Sequence, residues 1–515
     1  MLHVTPGELK EKFCELQSGF AALYEAVFHD KMAEKTVVVV PSLTLDPDIL
    51  SKVEGAVYYE ERLLCLLMLL RMPRTNVIYI TSNPVDPIII DYYLHLLPGI
   101  TGHHARQRLH FSSCFDNSNL SLTEKILARP RLIKRIKKLL QNGPPAHIAC
   151  FNVTEHEKKL AVELGLPIYG CDPDLLYWGT KSGSREVFKF CNVASPEGFE
   201  NIHDEEGIIQ ALADLYRRKK GIRKAVVKMN DGFSGEGNAI FSYSLVTEDD
   251  DIEEQVRRQL FVQLEIIAND LSYDQFMKKF LSMGGIVEEF IDGDEKATPS
   301  VQCRIGPTGN IDIISTHDQI MGGRDNQVFL GGSFPADIAY SVDIGKLAKK
   351  IAEVLKEKGV LGRFGVDFLS VKHNGKWEHY AIEINLRKGG TTHPYILLQF
   401  LTNGDYNAET GKYLLPNGKE KHYVFSDNLQ DERFKGLTPI DLMDIAIMNH
   451  LHYDGTTEEG VMFHLIGALS QYGKVGVVCI GSTLETAYHY YAETIRVLQA
   501  ECCGQIDGIT EQPSM

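Results

Sequence analysis

The sequence has little that would tie it to a membrane, a secretory route or a polyanion. No apolar run approaches the roughly 20 residues that a bilayer span needs. The most apolar stretch, Leu63–Leu70, is bracketed by Glu60, Glu61, Arg62 and Arg71. The N-terminal MLHVTPGELKEKF lacks the apolar core of a signal peptide. Ten cysteines are scattered from Cys14 to Cys503 with no C-x-x-C pair and no His/Cys cluster of zinc-ligand spacing, so neither a disulfide framework nor a structural zinc site is indicated. A reducing, cytoplasmic setting is the expectation. Positive charge is short as well: 53 Lys and Arg stand against 69 Asp and Glu, a net −16. That excludes a generally nucleic-acid-binding surface, and any bound anion must find a local positive site.

What is present is ordinary for a globular chain, with 44% hydrophobic and 24% charged residues over 515 positions, enough for two to four domains. In the first third, TVVVVPSL (36–43), NVIYITS (76–82) and AHIACFN (146–152) predict buried strands. Residues 58–71 and 119–141 predict helices, so the pattern is an open βαβ-type sheet over a first domain of residues 1–172. The basic RPRLIKRIKKLL (129–140) puts Leu132, Ile136, Leu139 and Leu140 on one helical face and predicts a packed helix with a solvated cationic side.

The texture changes near residue 173. A helix-like SREVFKF and a helix around 205–220 lead into AVVKMNDGFSGEGNAI (225–240), where Lys228 precedes the glycines Gly232, Gly235 and Gly237. Neither G-x-G-x-x-G nor G-x-x-x-x-G-K-[ST] fits, and the following NAIFSYSLV alternates like a strand, so no helix N-terminus follows the loop. Such a hairpin can cover phosphates with backbone N–H groups while the lysine contributes charge from the preceding strand. A flexible hairpin tip with a solvated lysine accounts for this segment equally well.

Further on, RFGVDFLSVKHNGKWEHYAIEINLRKGGTTHP predicts two strands joined by a turn at His373-Asn374-Gly375, with Tyr380, Ile382 and Ile384 alternating on the second. Glu383, Asn385 and Arg387 then share one face, and Asp367 on the partner strand can face them. Three oxygen donors beside an arginine make a plausible magnesium site bridging a polyphosphate. Between the two regions, IVEEFIDGDEK carries Glu288, Glu289 and Glu295, a signal that an edge strand with surface glutamates would also give.

Taken in order, these segments resemble an ATP-grasp enzyme over most of residues 175–400. The resemblance implies ATP and Mg2+, with Mn2+ an alternative, as cofactors. TKSGSREVFKFCNVASPEG resembles the first basic motif of the family, with Lys181 at its start and Arg185 where a phosphate-binding lysine is usual. Lys228 matches the second basic position, followed by the loop of Gly232, Ser234, Gly235 and Gly237. Glu288, with backbone groups of Glu289 and Ile291, would hold adenine, and Glu295 would hold ribose. Asp367, Glu383 and Asn385 match the metal set, and Arg387 would face the transferred phosphoryl group.

YYEERLLCLLMLLRMP, GTKSGSR, KMNDGFSGEGN and EINLRKGGTTHP together resemble the pheganomycin-type peptide ligases over nearly the full chain. That implies an α/β chain in three parts: a pre-ATP-grasp domain (1–172), a two-lobed ATP-grasp domain (173–405) and a small C-terminal ββα domain (406–515). GVMFHLIGAL and KVGVVCIG read as its strands. Ser482 with Glu485 predicts a capping box before a helix whose apolar face carries Leu484, Ala487, Tyr488, Tyr491, Ile495 and Leu498. His464 and His489 are expected as packing residues.

The implied reaction joins a small-molecule or peptide carboxylate to an amine through an acyl phosphate, with no nucleic-acid or membrane partner. The segment MGGRDNQVFLGGSFPAD is a candidate acceptor site through Arg324 and Asp325, an ordinary long loop accounting for it equally well, and Thr391, Thr392 and His393 are candidate substrate contacts. A phosphotransferase and a non-catalytic nucleotide-binding regulatory module are the alternatives, the complete acidic set weighing against the second.

Overall fold

The computed structural model describes residues 5–507 apart from 29, 46–49, 51–52, 233–236, 248–250, 269–270 and 323–327. Strands β1 (Lys35–Val40), β2 (Thr75–Thr81), β3 (Leu109–Ser113) and β4 (Ala146–Cys150) form a parallel sheet ordered β3-β2-β1-β4. Every residue of β1 is buried, as expected of a central parallel strand covered on both faces. Strand alternation splits it between two cores, with Val37 and Val39 in one cluster and Val38 and Val40 in the other. The edge strand β3, LHFSS, is only partly buried and carries no apolar run that would have announced it.

Two sequence expectations change in detail. The helix expected over 119–141 is two helices, Leu122–Leu127 and Pro130–Leu140, because Pro130 cannot donate into a continuing helix but suits a first turn. The second buries Leu132, Ile133 and Ile136 and keeps its cationic face in solvent. Residues Ala56–Arg71 coil as a tight 3-10 helix rather than an α-helix and are buried from Glu60 to Met68.

The charges heading that helix are buried and paired. Glu60 accepts from the Ser82 backbone N–H at 2.6 Å and hydroxyl at 2.5 Å, and Glu61 accepts from the Gly467 N–H at 3.1 Å. Burial pushes the two carboxyls up to about 7 and about 8. Glu61 thereby ties the first sheet to the C-terminal part. Among the described residues no helix is long and apolar enough to cross a membrane.

A five-stranded antiparallel sheet, ordered β5-β9-β6-β7-β8, is built from β5 (Gly198–Ile202), β6 (Lys224–Met229), β7 (Asn238–Ser242), β8 (Leu264–Ile266) and β9 (Gly285–Glu289). Strands β6 and β7 form the expected hairpin, with Lys228 opposite Asn238.

The largest sheet has nine strands. Strands β10 (Glu295–Ala297), β11 (Pro299–Ile305), β12 (Ile311–Gly322), β13 (Val328–Phe334), β14 (Gly362–His373) and β15 (Lys376–Asn385) continue, past the small β16 (Asp405–Asn407) and β17 (Lys412–Leu414) pair, into β18 (His422–Gln430), β19 (Gly460–His464) and β20 (Lys474–Gly481). The β13–β18 pairing carries one sheet across residue 405, so the C-terminal strands extend the larger sheet. The last helix, Leu484–Asp507, is capped by Thr483, whose hydroxyl accepts from the Thr486 N–H at 3.1 Å. This corrects the Ser482 assignment: that hydroxyl is taken by Glu459 instead. His489 is exposed rather than packed.

The β6–β9 contact is tight because Gly285 has no side chain: a Cβ there would fall on the carbonyl oxygen of Lys228 and the ring of Phe280. Gly285→Ala is expected to lower the unfolding free energy by about 1–3 kcal/mol, as overpacking does. Urea unfolding checks this, and an unchanged midpoint would mean that the strands part without penalty.

Candidate active site

One cleft of about 1150 Å3 runs between the five-stranded and nine-stranded sheets, and both Lys228 and Glu383 line it. The glycine hairpin and the acidic hairpin, remote in sequence, therefore open on the same space.

On one wall the central group is Glu288, 2% exposed. Lys228 Nζ lies 2.6 Å from its Oε1, and an Arg185 terminal nitrogen donates to its Oε2 at 3.0 Å. Register explains the first contact. Val226 pairs with Glu288 across β6 and β9, and Lys228, two residues along, leaves the same face. The second comes from the helix Lys181–Phe190, whose start is capped by Thr180 accepting from the Gly183 N–H. Arg185 also donates to the Pro196 carbonyl at 2.8 Å and does not line the cleft. Lys181, one turn earlier on the same helical face, does line it, with its Nζ 3.1 Å from Glu383 Oε1. The expectation that Arg185 itself reaches the phosphates is corrected to a place beneath Glu288.

The opposite wall is the β14–β15 hairpin. Asn374 (φ 50°) and Gly375 (φ 79°) are both left-handed, the turn that matches strand twist in a two-residue hairpin. The register sets Asp367 opposite Glu383 and Gly365 opposite Asn385, so the predicted juxtaposition is present. A bulge follows Asp367, leaving Ile382 without a partner on β14. The predicted inward alternation of Tyr380, Ile382 and Ile384 is therefore broken: Ala381 and Ile384 are buried, while Ile382 borders the cleft beside Glu383.

Asn385 donates from Nδ2 to Asp367 at 3.0 Å and accepts from Arg387 at 2.5 Å. Gln319, which sequence reading did not single out, donates to the other Asp367 oxygen at 3.0 Å. Burial, with the like charge of Glu383, pushes the Asp367 carboxyl up to about 6. Burial acts on Glu383 in the same direction, but Lys181, Arg387 and Lys228 outweigh it and hold Glu383 below its ordinary value. Two oxygen-donor carboxylates on facing strands, one destabilised by the other, fit a hard divalent cation.

The remaining predicted residues divide. Glu289 and Ile291 both line the cleft, and the Glu289 carboxylate is paired with Lys219 and accepts from the Glu197 N–H at 3.0 Å. Glu295 is not brought in: it is 60% exposed and paired with Lys372, whereas its neighbour Lys296 lines the cleft, since adjacent strand residues face opposite ways. Gly232 and Gly237 line the cleft; Ser234 and Gly235 lie outside the described residues, as do Arg324 and Asp325. Thr391 lines the cleft, Thr392 is buried with its hydroxyl accepting from the Gly389 N–H, and His393 is buried against His464 and Asp427.

The far end of the cleft went unread in the sequence. Arg62 is held between the rings of Tyr59 and Phe151, at 4.4 and 4.7 Å, and donates to Asp427 at 3.2 Å. Its Nε is buried without a partner among the described residues. The one signal was a charged triplet, Glu60-Glu61-Arg62, at the head of the most apolar run in the chain.

Glu288→Ala would take from Lys228 its buried partner and leave Arg185 only the longer Glu200 pair at 3.5 Å, and is expected to cost about 3–5 kcal/mol in unfolding free energy. Glu295→Ala, on an exposed pair, is expected to cost at most about 1 kcal/mol. Parallel urea titrations check the ranking, and equal effects would contradict the placement of Glu288.

Residues 175–264 and 265–409 match the family described as IQCH-like, ATP-grasp, and residues 441–494 match the PGM1 C-terminal domain. The chain is 27% identical over 472 residues to an L-propargylglycine–L-glutamate ligase of Streptantibioticus cattleyicolor, covering 90% of this chain and 94% of that one. It is 21% identical to IQ motif-containing protein H of Danio rerio, covering 92% of this chain and 49% of that longer protein. The fold is that of solved carboxylases: the biotin carboxylase of Campylobacter jejuni superposes with a TM-score of 0.52 at 15% identity, over 88% of this chain and 89% of that one. Residues 175–409, which carry both walls of the cleft, therefore form an ATP-grasp domain.

Proposed function

We propose that this chain is an ATP-dependent carboxylate–amine ligase, with residues 1–172, 173–405 and 406–515 acting as pre-ATP-grasp, nucleotide-binding and C-terminal parts. The observation that carries the reading is the single cleft with the Lys228–Glu288 pair on one wall and Asp367, Glu383 and Asn385 on the other. Lys181 and Lys228 would meet the phosphates of ATP, and the Glu289–Ile291 backbone would meet the adenine. Asp367, Glu383 and Asn385 would hold Mg2+, which supplies charge neutralisation on the phosphate oxygens when bound.

In the proposed reaction a substrate carboxylate oxygen bonds to the γ-phosphorus as the bond to the β-phosphate oxygen breaks, giving an acyl phosphate and ADP. The amine nitrogen then attacks the carbonyl carbon, loses a proton, and phosphate leaves as the amide forms. Arg387 would offset charge on the phosphoryl group in both steps. The wall between sheets would exclude water that would otherwise hydrolyse the acyl phosphate. Because one relative ligates L-propargylglycine and L-glutamate, amino acids or short peptides are the substrate class we assign. Arg62, with its unpartnered Nε, would meet a substrate carboxylate at the far end of the cleft.

Phosphate and ADP are expected only when acid and amine are both supplied, with a product mass equal to both less one water. A phosphorylated product from one acceptor alone would replace the ligase reading by a phosphotransferase. Glu383→Gln is expected to lower turnover by roughly 100-fold, as loss of one strong electrostatic group does, and unchanged turnover overturns the cation assignment.

A pH dependence follows from Asp367. Its carboxyl must be deprotonated to bind a cation, and burial with the Glu383 charge pushes it up to about 6. Mn2+ affinity is therefore expected to fall about tenfold per pH unit below that point and to level off above it. Titration calorimetry between pH 5 and 8 checks this, a flat profile being contrary.

A further inference from the structure

Three buried side chains from separate parts of the chain meet behind the far end of the cleft. They are His393, in the helix Thr392–Thr402, Asp427 of β18, and His464 at the end of β19. The two Nε2 atoms are 2.9 Å apart, and Asp427 Oδ1 is 3.1 Å from the first and 2.7 Å from the second.

Hydrogen bonds cannot close this triangle. Each Nε2 either carries a proton or offers a lone pair. If both carry protons, two N–H groups oppose each other at 2.9 Å. If one accepts from the other, its lone pair faces the carboxylate oxygen. If neither carries one, all three contacts are lone pair against lone pair. With Asp427 ionised against Arg62, every assignment leaves at least one contact repulsive, and protonating either ring at Nδ1 changes none of them.

A central cation makes all three contacts favourable at once. Bonds of about 2.1 Å at right angles set neighbouring ligand atoms about 3.0 Å apart, and tetrahedral bonds of the same length set them about 3.4 Å apart. The observed 2.7, 2.9 and 3.1 Å bracket the first value. Two imidazoles with one carboxylate on a single face select a transition-metal dication over magnesium or calcium.

The surroundings suit such a site. The second Asp427 oxygen accepts from Arg62, itself fixed between two rings, so the ligand carboxylate is oriented from behind. A Cβ at position 476 would fall on the His464 ring, so Gly476 makes room for that imidazole. Asp427 and Thr391 border the cleft.

We propose that His393, Asp427 and His464 bind one divalent transition-metal ion, distinct from the Asp367–Glu383 cation, at the end of the cleft where Arg62 lies. The ion joins the helix after the acidic hairpin to β18 and β19, and its open positions face the cleft, where an oxygen of water or of a substrate carboxylate completes the shell. The metal site stands on its own geometry and does not rest on the ligase reading.

The test uses the full chain, stripped with chelator and reloaded with Zn2+ or Co2+ alone, followed by gel filtration and elemental analysis. About one ion per chain is expected, together with weak Co2+ absorption of a six-coordinate kind and a raised thermal midpoint that equal Mg2+ does not reproduce. His393→Gln and His464→Gln should each drop the stoichiometry to below about one-tenth, whereas Glu383→Gln should keep it. If either histidine variant fails to fold, the wild-type Co2+ spectrum and midpoint shift decide. Wild type that retains no ion, or binding undiminished in both histidine variants, overturns the proposal.

Discussion

The nucleotide-side wall of the cleft depends on one buried anion. Glu288 sits between Lys228 and Arg185, and each of the three groups would be costly to bury alone, by several kcal/mol per ion. They come from β9, from β6 and from the helix Lys181–Phe190, so these elements cannot dock without assembling the charge cluster. Lys181 and Lys228 border the cleft in a chain whose net charge is −16, and they supply the local cationic site that an anion requires. Arg185 is the buried prop, and Lys228 at the cleft is the group it helps to aim.

The facing wall has the opposite sign. Asp367 and Glu383 are set across from each other by strand register; Lys181 pairs with Glu383, and the charges of Arg387 and Lys228 also favour its ionised form. Among the described residues no cation is in hydrogen-bond contact with Asp367; its oxygens are met by the amides of Gln319 and Asn385 and by Ser300. Cations on one wall and carboxylates on the other suit a polyphosphate with its counter-cation between them. At the far end Arg62 and Asp427 repeat the pairing of signs on a smaller scale.

Much of this was legible from local pattern. Lys228 before the glycines, the strand that follows them, and the Asn374-Gly375 turn all follow from backbone preference and the two-residue period of a strand. The failures have equally local causes. The bulge at Ile382 shifts the alternation by one, and no residue type marks it. Glu295 and Lys296 are adjacent charges on an exposed strand, and only the sheet decides which of them turns inward. Arg185 and Lys181 share one helical face, so the pattern could not say which reaches the cleft and which ends beneath Glu288.

The sequence by itself determined the central strands of the first sheet, the strands and turn of the acidic hairpin, and that a lysine-glycine hairpin precedes it in the chain. Those properties reside in steric limits and hydrophobic period over a few neighbouring residues. Tertiary structure alone decided that Glu60, Glu61 and Arg62 are buried and paired, and that His393, Asp427 and His464 meet. The reason is that a charged or polar group enters the interior only where a partner waits. For these residues each partner arrives on a different element, brought there by the packing of whole sheets.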